Sequence, residues 1–542
     1  MADFAPAHIR HGSNSGQGLT RREGLLKVTG AARFTADHHP AGLLHAVTVV
    51  STIARGRVIA LDAEAAKAVP GVVEVMTPTN APKLAKDPDI GGMFVFKLDL
   101  LQNDRVRYAS QPIAVVIAET LEAATEGAAV LAPSYAAEAA RVDVDAAKPF
   151  VPHVVGAGEP PEASQGDVEA GLAAAASRIE AVYDTPAQYH NPMETHAVVA
   201  AWDGNRLHLD IPTQGMGMTK ARIADLFGID AADIHINASF LGGGFGCKLI
   251  WAPQMLGIMA ARLVGRPVKL VVTREQMFGP VGHRAPTRQT LRLGVAADGA
   301  LTALDHRTLT ASSSFDDFYE PSSNASHTLY ATPALHTAHE AVRLDTGTPT
   351  FMRAPGEASG SAALESAIDE MAEACGMDPL AFRLKNYAEV EPISGKPFSS
   401  KALRECYAQG AARFGWAERP LAPRQMRDSA GLLVGWGLGT ATFPALMMQA
   451  NARAVLRANG AAEVEIGAHD MGQGAWTALA QLAADSLGLE LDQVTFRMGT
   501  SDLPDGGIAG GSAHTATAGT AIDGAGADAI AKLAELAMSD ER

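Results

Sequence analysis

Residues 237–249 read NASFLGGGFGCKL, and this glycine-rich run, the first loop, is the most informative stretch for the fold. Ile234, Ile236 and Ala238 alternate with polar residues before it, which predicts a strand, and a mostly apolar helix ending near Gly265 follows. A strand, glycine loop and helix in this order present backbone N–H groups to an anion. The spacing matches neither the P-loop nor the G-x-G-x-x-G pattern, so an NTP or NAD site is not indicated. An ordinary tight turn is the alternative at this point.

A second loop, residues 351–360 (FMRAPGEASG), also opens a predicted helix. That helix is indicated by apolar residues at helical spacing and a closing glycine: Leu364, Ile368, Met371, Cys375 and Gly376. Arg353 and the helix N-terminus are expected to face the same space, and a planar guanidinium suits oxygen anions. The alternative is that Arg353 simply pairs with Glu357.

Two further loops resemble these. The third loop, residues 469–474 (HDMGQG), opens an amphipathic helix with Trp476, Leu479, Ala483 and Leu487 on one face and Gly488 after it. The fourth loop, residues 506–519 (GGIAGGSAHTATAG), precedes a helix predicted to start near Ala521. Each could be an ordinary turn, but together the loops predict an elongated, multiply phosphorylated or oxygen-rich ligand between helix ends.

Gln214 is a fifth candidate. It lies between a predicted strand, Leu207–Ile211, and a predicted helix, Lys220–Phe227, and it could offer an amide to a ligand. Its alternative is a capping or turn residue.

Composition excludes several classes of protein. The chain has 44 Lys and Arg against 60 Asp and Glu, a formal charge of −16, which argues against a nucleic-acid or anionic-membrane surface. The three cysteines, Cys247, Cys375 and Cys406, are far apart, which excludes a disulfide framework, a thiolate zinc site and a four-cysteine iron–sulfur cluster within this chain. We expect no secretory signal and no membrane helix.

Stretches rich in Pro, Gly and small polar residues mark the predicted boundaries between domains. The predicted segments are a polar lead-in (1–24), a compact α+β module (25–145), a linker (146–166), a middle domain (167–420) and a third domain (430–542). Within the module we expect strands and helices at His45–Val50, Asp62–Ala68, Val72–Met76, Pro112–Ala118 and Leu121–Leu131.

With these segments in order, the chain resembles the molybdenum-binding large subunit of the xanthine dehydrogenase and aldehyde oxidase family, most closely the bacterial three-subunit aldehyde dehydrogenases. The resemblance covers nearly the whole chain and rests on KVTGAARFTAD (27–37), HNPMETH (190–196), TQ (213–214), GGGFGCK (242–248), RAPGE (353–357), MGQG (471–474) and the small-residue run 510–519. It implies an α+β fold, with a hammerhead-like module followed by molybdopterin-binding domain one and an incomplete domain two.

The resemblance also implies a ligand for the loops, molybdopterin cytosine dinucleotide, with molybdenum held by the pterin dithiolene and not by side chains. Gln214 would hydrogen-bond an oxo ligand of molybdenum, Phe245 would line the substrate pocket, and Arg353 would steady oxyanion charge near the metal. The cofactor-binding residues implied are Gln214, Gly243, Gly244, Phe245, Gly246, Arg353, Gly472, Gln473, Gly474, Gly511 and Ser512.

The implied reaction is hydroxylation of aldehydes to carboxylic acids with water as the oxygen source. Electrons would leave through a [2Fe-2S] cluster and FAD on partner subunits, because this chain lacks the cysteines and a flavin motif. The expected compartment is the cytoplasm, or the periplasm if a partner carries the export signal.

Two positions depart from the family pattern. Leu249 stands where purine hydroxylases of the family carry a glutamate, which favours aldehydes over purines. The family's general-base glutamate, in a G-V-G-E-P-P-like segment, has no counterpart after Gly474, and the GEPP at 158–161 is interpreted as linker composition. Glu357 belongs to the second loop and is not nominated as the base.

The missing glutamate leaves three explanations open: a truncated enzyme, which we favour, a base supplied by another chain, or a catalytically silent module that binds cofactor or partners. A generic nucleotide-binding protein is the remaining alternative.

Overall fold

The computed structural model describes residues 14–88, 91 and 94–539, and the structural statements below refer to them. Part of the predicted lead-in, residues 1–13, lies outside the described residues, as do residues 540–542 of the predicted third domain. The described chain combines helices with mixed sheets, which confirms the predicted α+β class.

The described regular elements alternate along the whole chain. The strands are β1 (Leu44–Val50), β2 (Gly56–Ala60), β3 (Val72–Met76), β4 (Arg105–Val106), β5 (Pro112–Ala118), β6 (Ser134–Ala137), β7 (Glu162–Gln165), β8 (Ser177–Thr185), β9 (Ala197–Asp203), β10 (Arg206–Asp210), β11 (Ile234–Asn237), β12 (Val268–Val271), β13 (Thr287–Val295), β14 (Leu301–Ser313), β15 (Leu335–Leu344), β16 (Arg453–Leu456), β17 (Ala462–Glu465) and β18 (Val494–Arg497). The α-helices are α1 (Gly24–Val28), α2 (Ala63–Lys67), α3 (Leu121–Val130), α4 (Val168–Ala173), α5 (Met216–Phe227), α6 (Ala252–Val264), α7 (Glu357–Ala374), α8 (Pro379–Lys385), α9 (Leu403–Phe414), α10 (Ala475–Leu487) and α11 (His514–Ser539).

The N-terminal module and the domain after it share one sheet. Its seven strands run in the order β11-β10-β9-β12-β1-β5-β3. The junction is parallel, with Leu44 opposite Val268 and Ala46 opposite Leu270. The largest core cluster packs on this sheet and includes most of the buried face of α6. Burial of this continuous apolar surface ties the two segments together.

Two other sheets complete the frame of the site. A five-stranded sheet in the order β7-β15-β14-β13-β8 packs against α7, and a three-stranded sheet β16-β17-β18 packs against α10 and α11. A small sheet, β4-β2-β6, belongs to the N-terminal module.

Local capping and packing explain where helices begin. As predicted, Asp62 caps α2, since its side chain accepts a hydrogen bond from the Ala65 N–H. The predicted start of the last helix near Ala521 is wrong, because α11 begins at His514. A Cβ added at Gly519 would lie 2.8 Å from Leu482 Cδ1, so small residues let α11 approach α10 closely. Tertiary packing therefore extends a helix through residues that resemble a loop.

The described part of the predicted lead-in is anchored. The backbone N–H groups of Asn14 and Ser15 donate to the Asp485 carboxylate at 3.1 and 2.6 Å. Arg21 donates to the Gly472 carbonyl at 2.9 Å. Residues 14–24 therefore lie along α10 and reach the third loop.

The predicted linker, residues 146–166, contains ordered extended chain. Its strand β7 pairs with β15 at the edge of the five-stranded sheet, and Phe150 forms a backbone bridge with Ala341. Val155 is buried. The Pro- and Gly-rich composition suits an edge position, where unpaired carbonyls can face water.

Candidate functional site

Each predicted site segment joins the end of a strand to the start of a helix. The first loop joins β11 to α6, the second connects β15 to α7, the third joins β17 to α10, and the fourth joins β18 to α11. Because β10 pairs in parallel with β11, and β17 with β18, the loops after each pair leave the sheet at the same edge. Backbone bridges Asn237–Thr500 and Phe240–Asp470 join the two sheets. The topology therefore brings these loops together.

Gln214 lies at the centre of this arrangement and is almost fully buried. Its Oε1 accepts hydrogen bonds from the backbone N–H groups of Gly246 at 3.0 Å and Lys248 at 3.1 Å in the first loop. Its Nε2 donates to the Ala509 carbonyl of the fourth loop at 2.7 Å, and its own carbonyl accepts from the Ala509 N–H at 2.7 Å. One amide side chain thus joins two of the predicted loops, which a simple capping residue would not do.

The second loop contacts the first through backbone and aromatic groups. The Arg353 N–H donates to the Phe245 carbonyl at 2.9 Å, and the Arg353 guanidinium lies 6.0 Å from the centre of the Phe245 ring. Phe245 is 42% exposed, and Arg353 is exposed as well. Within the described residues the guanidinium has no ion pair, so the alternative of an Arg353–Glu357 pair is not what the structure shows. An unpaired cation above an aromatic ring therefore faces solvent at the surface of the site.

Several loop amides have no acceptor within the described chain. In the first loop these are the N–H groups of Gly243, Gly244 and Phe245, and in the third and fourth loops those of Gln473, Gly474, Gly511 and Ser512. The Gly472 N–H is different, because it donates to the Asp470 carboxylate at 2.9 Å. Free backbone donors on neighbouring loops suit a ligand rich in oxygen and nitrogen acceptors.

Backbone conformation also marks these loops. Phe245, Ala354 and Ser512 have φ of 59°, 60° and 53°, values that non-glycine residues rarely adopt. Asn191, in the HNPMETH segment, has φ of 44°. Such conformations cost free energy and concentrate at functional sites, which supports a functional role for the cluster.

Lys248 and Glu194 are structural residues that sequence reasoning did not assign. Lys248 is fully buried, and its Nζ donates to the carbonyls of Glu194 at 2.8 Å and Thr195 at 3.0 Å. Glu194 accepts from the Gly242 N–H at 2.9 Å and the Thr35 N–H at 3.3 Å. Desolvation lowers the pKa of Lys248, whereas Glu194 opposes that shift. The pair explains why KVTGAARFTAD and HNPMETH accompany the first loop, since both segments fasten it.

Removing this buried charge should destabilise the protein. For Lys248→Met we expect a loss of about 3 kcal/mol in the free energy of unfolding, because Glu194 and two carbonyls lose their donor. Chemical denaturation of the full chain measures it. The control Lys396→Met changes an exposed lysine and should leave the midpoint unchanged. Equal midpoints for both variants would contradict a stabilising role of the Lys248–Glu194 pair.

Two histidines connect the third and fourth loops. His469 and His514 are buried with ring centres 5.5 Å apart, and Gln473 Nε2 lies 3.2 Å from His514 Nδ1. Burial lowers the pKa of His469 to about 3 and that of His514 to about 4, so both are neutral at pH 7. The Gln473 side chain also donates to the His469 carbonyl at 3.3 Å, which leaves its backbone as the part that can meet a ligand.

Leu249 lies next to the site, because it directly follows Lys248, whose carbonyl accepts from the Gln214 N–H at 2.7 Å. The GEPP segment closes a turn in which the Glu159 N–H donates to the Val155 carbonyl and the Glu159 carboxylate accepts from the Ala157 N–H. Neither Gln214 nor Arg353 has a carboxylate partner within the described residues. Leu249 is buried in the main core cluster.

In the described part of the chain, no three His, Cys, Asp or Glu side chains are grouped so that they could hold a metal ion. No described helix has both the length and the apolarity needed to cross a membrane.

Family matches cover most of the chain in a fixed order. Residues 29–139 match the aldehyde oxidase and xanthine dehydrogenase a/b hammerhead domain, and residues 151–387 and 409–541 each match a molybdopterin cofactor-binding domain. This order confirms the predicted hammerhead module followed by two molybdopterin-binding domains. The predicted boundaries at 145, 166, 420 and 430 stay predictions.

Curated relatives of the chain are named as molybdenum-binding subunits, in agreement with the domain matches. The aldehyde oxidoreductase molybdenum-binding subunit PaoC of Escherichia coli O157:H7 is 36% identical over 509 residues, covering 92% of this chain and 68% of the relative. The putative xanthine dehydrogenase molybdenum-binding subunit XdhA of Escherichia coli K12 is 27% identical over 502 residues, covering 88% of this chain and 66% of the relative.

Solved structures show the same fold at lower identity. The aldehyde oxidoreductase of Desulfovibrio gigas superposes with a TM-score of 0.80 at 22% identity, covering 94% of this chain and 59% of that one. The CO dehydrogenase of Oligotropha carboxidovorans also gives 0.80 at 22% identity, covering 95% and 71%. From the fold, the loop geometry and the relatives together, the chain belongs to the aldehyde oxidase and xanthine dehydrogenase family of oxidoreductases, as a molybdenum-binding subunit.

Proposed function

We propose that this chain oxidises aldehydes to carboxylic acids with water as the oxygen source, and passes electrons to separate iron–sulfur and FAD subunits. The observation that carries the proposal is that Gln214 hydrogen-bonds to both the first and the fourth loops, while Arg353 of the second loop contacts Phe245 of the first. A site of this form combines a buried amide, free backbone donors and an exposed cation.

The residues present fit a molybdopterin cytosine dinucleotide. The free N–H groups of the first, third and fourth loops offer donors to a pterin and a pyrophosphate. When bound, the cofactor supplies a two-electron oxidation at its metal, which the protein's own side chains cannot perform. Gln214 would hold an oxygen of this group with its second amide N–H, since the first is committed to Ala509.

Arg353 and Phe245 would act on the substrate side of the site. Phe245 offers an exposed ring face against which an apolar aldehyde can pack. The unpaired guanidinium of Arg353 would stabilise negative charge as it develops on the substrate oxygen. Its lack of an ion pair within the described chain leaves that charge available.

The aldehyde preference rests on one residue and one relative. Leu249 is buried and apolar, so it supplies no carboxylate to grip a purine ring. The relative at 36% identity is named as an aldehyde oxidoreductase, whereas the one named as a xanthine dehydrogenase is 27% identical.

Partner subunits follow from electron transfer. Three cysteines are fewer than the four thiolates of a usual [2Fe-2S] site, and we propose that a second chain holds the cluster and a third the FAD. Several relatives are named as subunits, including subunit gamma of the 6-hydroxypseudooxynicotine dehydrogenase complex of Paenarthrobacter nicotinovorans. We propose a cytoplasmic complex, or a periplasmic one if a partner carries the export signal.

The test is to purify the full chain with its partner subunits and analyse metal, nucleotide and turnover together. We expect about one molybdenum per chain, CMP on acid release, and aldehyde oxidation that exceeds xanthine oxidation at least tenfold. Guanine or adenine nucleotide in place of CMP would contradict the proposed cofactor form. Preference for xanthine would contradict the aldehyde proposal.

A second candidate is a catalytically silent module that binds cofactor or partners. In the sequence, no segment after Gly474 resembles the one that carries the family's general-base glutamate, which favours this candidate. Molybdenum and partner subunits without turnover would support this candidate.

A further inference from the structure

A buried ion pair supports the second loop from below. The Arg284 guanidinium donates to the carbonyls of Met352 at 2.5 Å and Arg353 at 2.7 Å. Glu320 Oε1 accepts from the Gly356 N–H at 2.8 Å and lies 3.7 Å from Arg284 Nε. One pair therefore holds both ends of the turn 352–356.

The pair is isolated from solvent. Arg284 is 4% exposed and Glu320 is fully buried. Glu320 Oε2 has no hydrogen-bond partner among the described residues, although Ser359 Oγ donates to Oε1 at 3.3 Å. An incompletely satisfied buried carboxylate is costly when ionised.

We infer that Arg284 and Glu320 are positioning residues for Arg353, and that the proton on Glu320 sets how firmly the turn 352–356 is held. Only the catalytic use of Arg353 rests on the proposed function. The mechanical coupling concerns this chain alone and does not require cofactor.

The groups around Glu320 determine the direction of the effect. Desolvation is the largest influence and raises the pKa of Glu320 from 4.5 to about 7, Arg284 and the hydrogen bonds from Gly356 and Ser359 oppose that rise, and Glu357 adds to it. Glu357, whose own pKa is raised by burial, is also faced by Glu159. His190 faces the Phe351 carbonyl, but its pKa of about 4 keeps it neutral near pH 7.

The pKa difference between the closed and open turn determines how pH shifts the equilibrium between them. The Gly356 hydrogen bond favours the ionised carboxylate, but desolvation outweighs it. When opening of the turn lets water reach Glu320, its pKa returns to the ordinary value of 4.5, so the closed turn, with a pKa of about 7, binds the proton more tightly. Rising pH therefore favours opening, and the closed-to-open ratio should fall about tenfold between pH 6 and pH 8. Well below pH 4.5 the ratio should be constant, because Glu320 is then protonated in both states.

Residue-level hydrogen exchange at the Gly356 amide of the full, cofactor-free chain tests the coupling. After correction for intrinsic exchange, wild-type protection should fall about tenfold from pH 6 to pH 8. Glu320→Gln keeps an acceptor but cannot ionise, so its profile should be flat, with protection above wild type at pH 8.

The control is Glu365→Gln. Glu365 forms an equally buried pair with Arg383 in the same domain, without a contact to the second loop among the described residues. This variant should keep the wild-type fall in protection even if it is less stable overall. A loss of the fall in both variants would show a general stability effect and overturn the assignment.

The assignment would also be overturned if protection of the Gly356 amide in the wild type did not change with pH, or if it changed in parallel in Glu320→Gln. If Glu320→Gln does not fold, Arg284→Gln gives an independent answer. Without the guanidinium, the pH midpoint at which protection of the Gly356 amide falls should move to higher pH. An unchanged midpoint would contradict the interaction between Arg284 and Glu320. None of these outcomes involves metal or substrate, so failure here leaves the proposed function untouched.

Discussion

Arg353→Ala is expected to lower kcat for aldehyde oxidation about a hundredfold, while molybdenum content stays near normal. The expected loss corresponds to removal of one donor that acts on developing oxyanion charge. The guanidinium lies 6.0 Å from the Phe245 ring centre and makes no ion pair within the described chain. Its removal should therefore have little effect on the stability of the fold. The measurement is steady-state kinetics of the complex with its partner subunits. The molybdenum content of each preparation is determined in parallel.

Two comparisons sharpen this prediction. Arg57→Ala removes an exposed arginine of the N-terminal module that pairs with Asp104, and it should leave kcat unchanged. Arg353→Lys should recover only part of the activity, because a lysine keeps the charge but not the planar fork. An Arg353→Ala enzyme with wild-type kcat would remove Arg353 from the set of catalytic residues.

Gly246→Ala is expected to abolish most cofactor loading. Gly246 has φ of 106°, and an added Cβ would overlap the Phe351 carbonyl oxygen. The first loop would have to move away from the second, which would displace the Gly246 N–H from Gln214. We expect molybdenum below about a tenth of wild type, because the loop would no longer hold its left-handed conformation beside that carbonyl.

The matched control is Gly460→Ala. Gly460 also has positive φ, 82°, but nothing lies within 4 Å of an added Cβ. This variant bears backbone strain without a collision and should load molybdenum normally. Normal loading in Gly246→Ala itself would contradict a role of the first loop in holding the cofactor.

Local sequence patterns predicted the parts of the site that depend on local physics. Alternating apolar residues predicted β11, and glycine-rich runs predicted the loops before α6 and α10, where Gly246 and Gly474 have positive φ. The role of Asp62 as a cap was also readable, because capping involves residues close in sequence.

Long-range contacts were not readable in this way. The partners of Gln214 include Ala509, 295 residues away, and Lys248 reaches back 54 residues to Glu194. Without the resemblance, no periodicity or spacing distinguishes Lys248 from an ordinary exposed lysine. The start of α11 at His514 depends in the same way on α10, which permits a helix through small residues.

The anchoring of residues 14–28 on α10 and the third loop bears on how the protein matures. Asn14 and Asp485 are separated by 471 positions, and Lys27 and Asp470 by 443. Closing chains of that length is slow and must wait for synthesis of the distal partner. A ribosome-bound intermediate ending before residue 470 would lack the third and fourth loops altogether. We therefore expect the pterin to be inserted after translation, into a polypeptide that is already almost completely assembled.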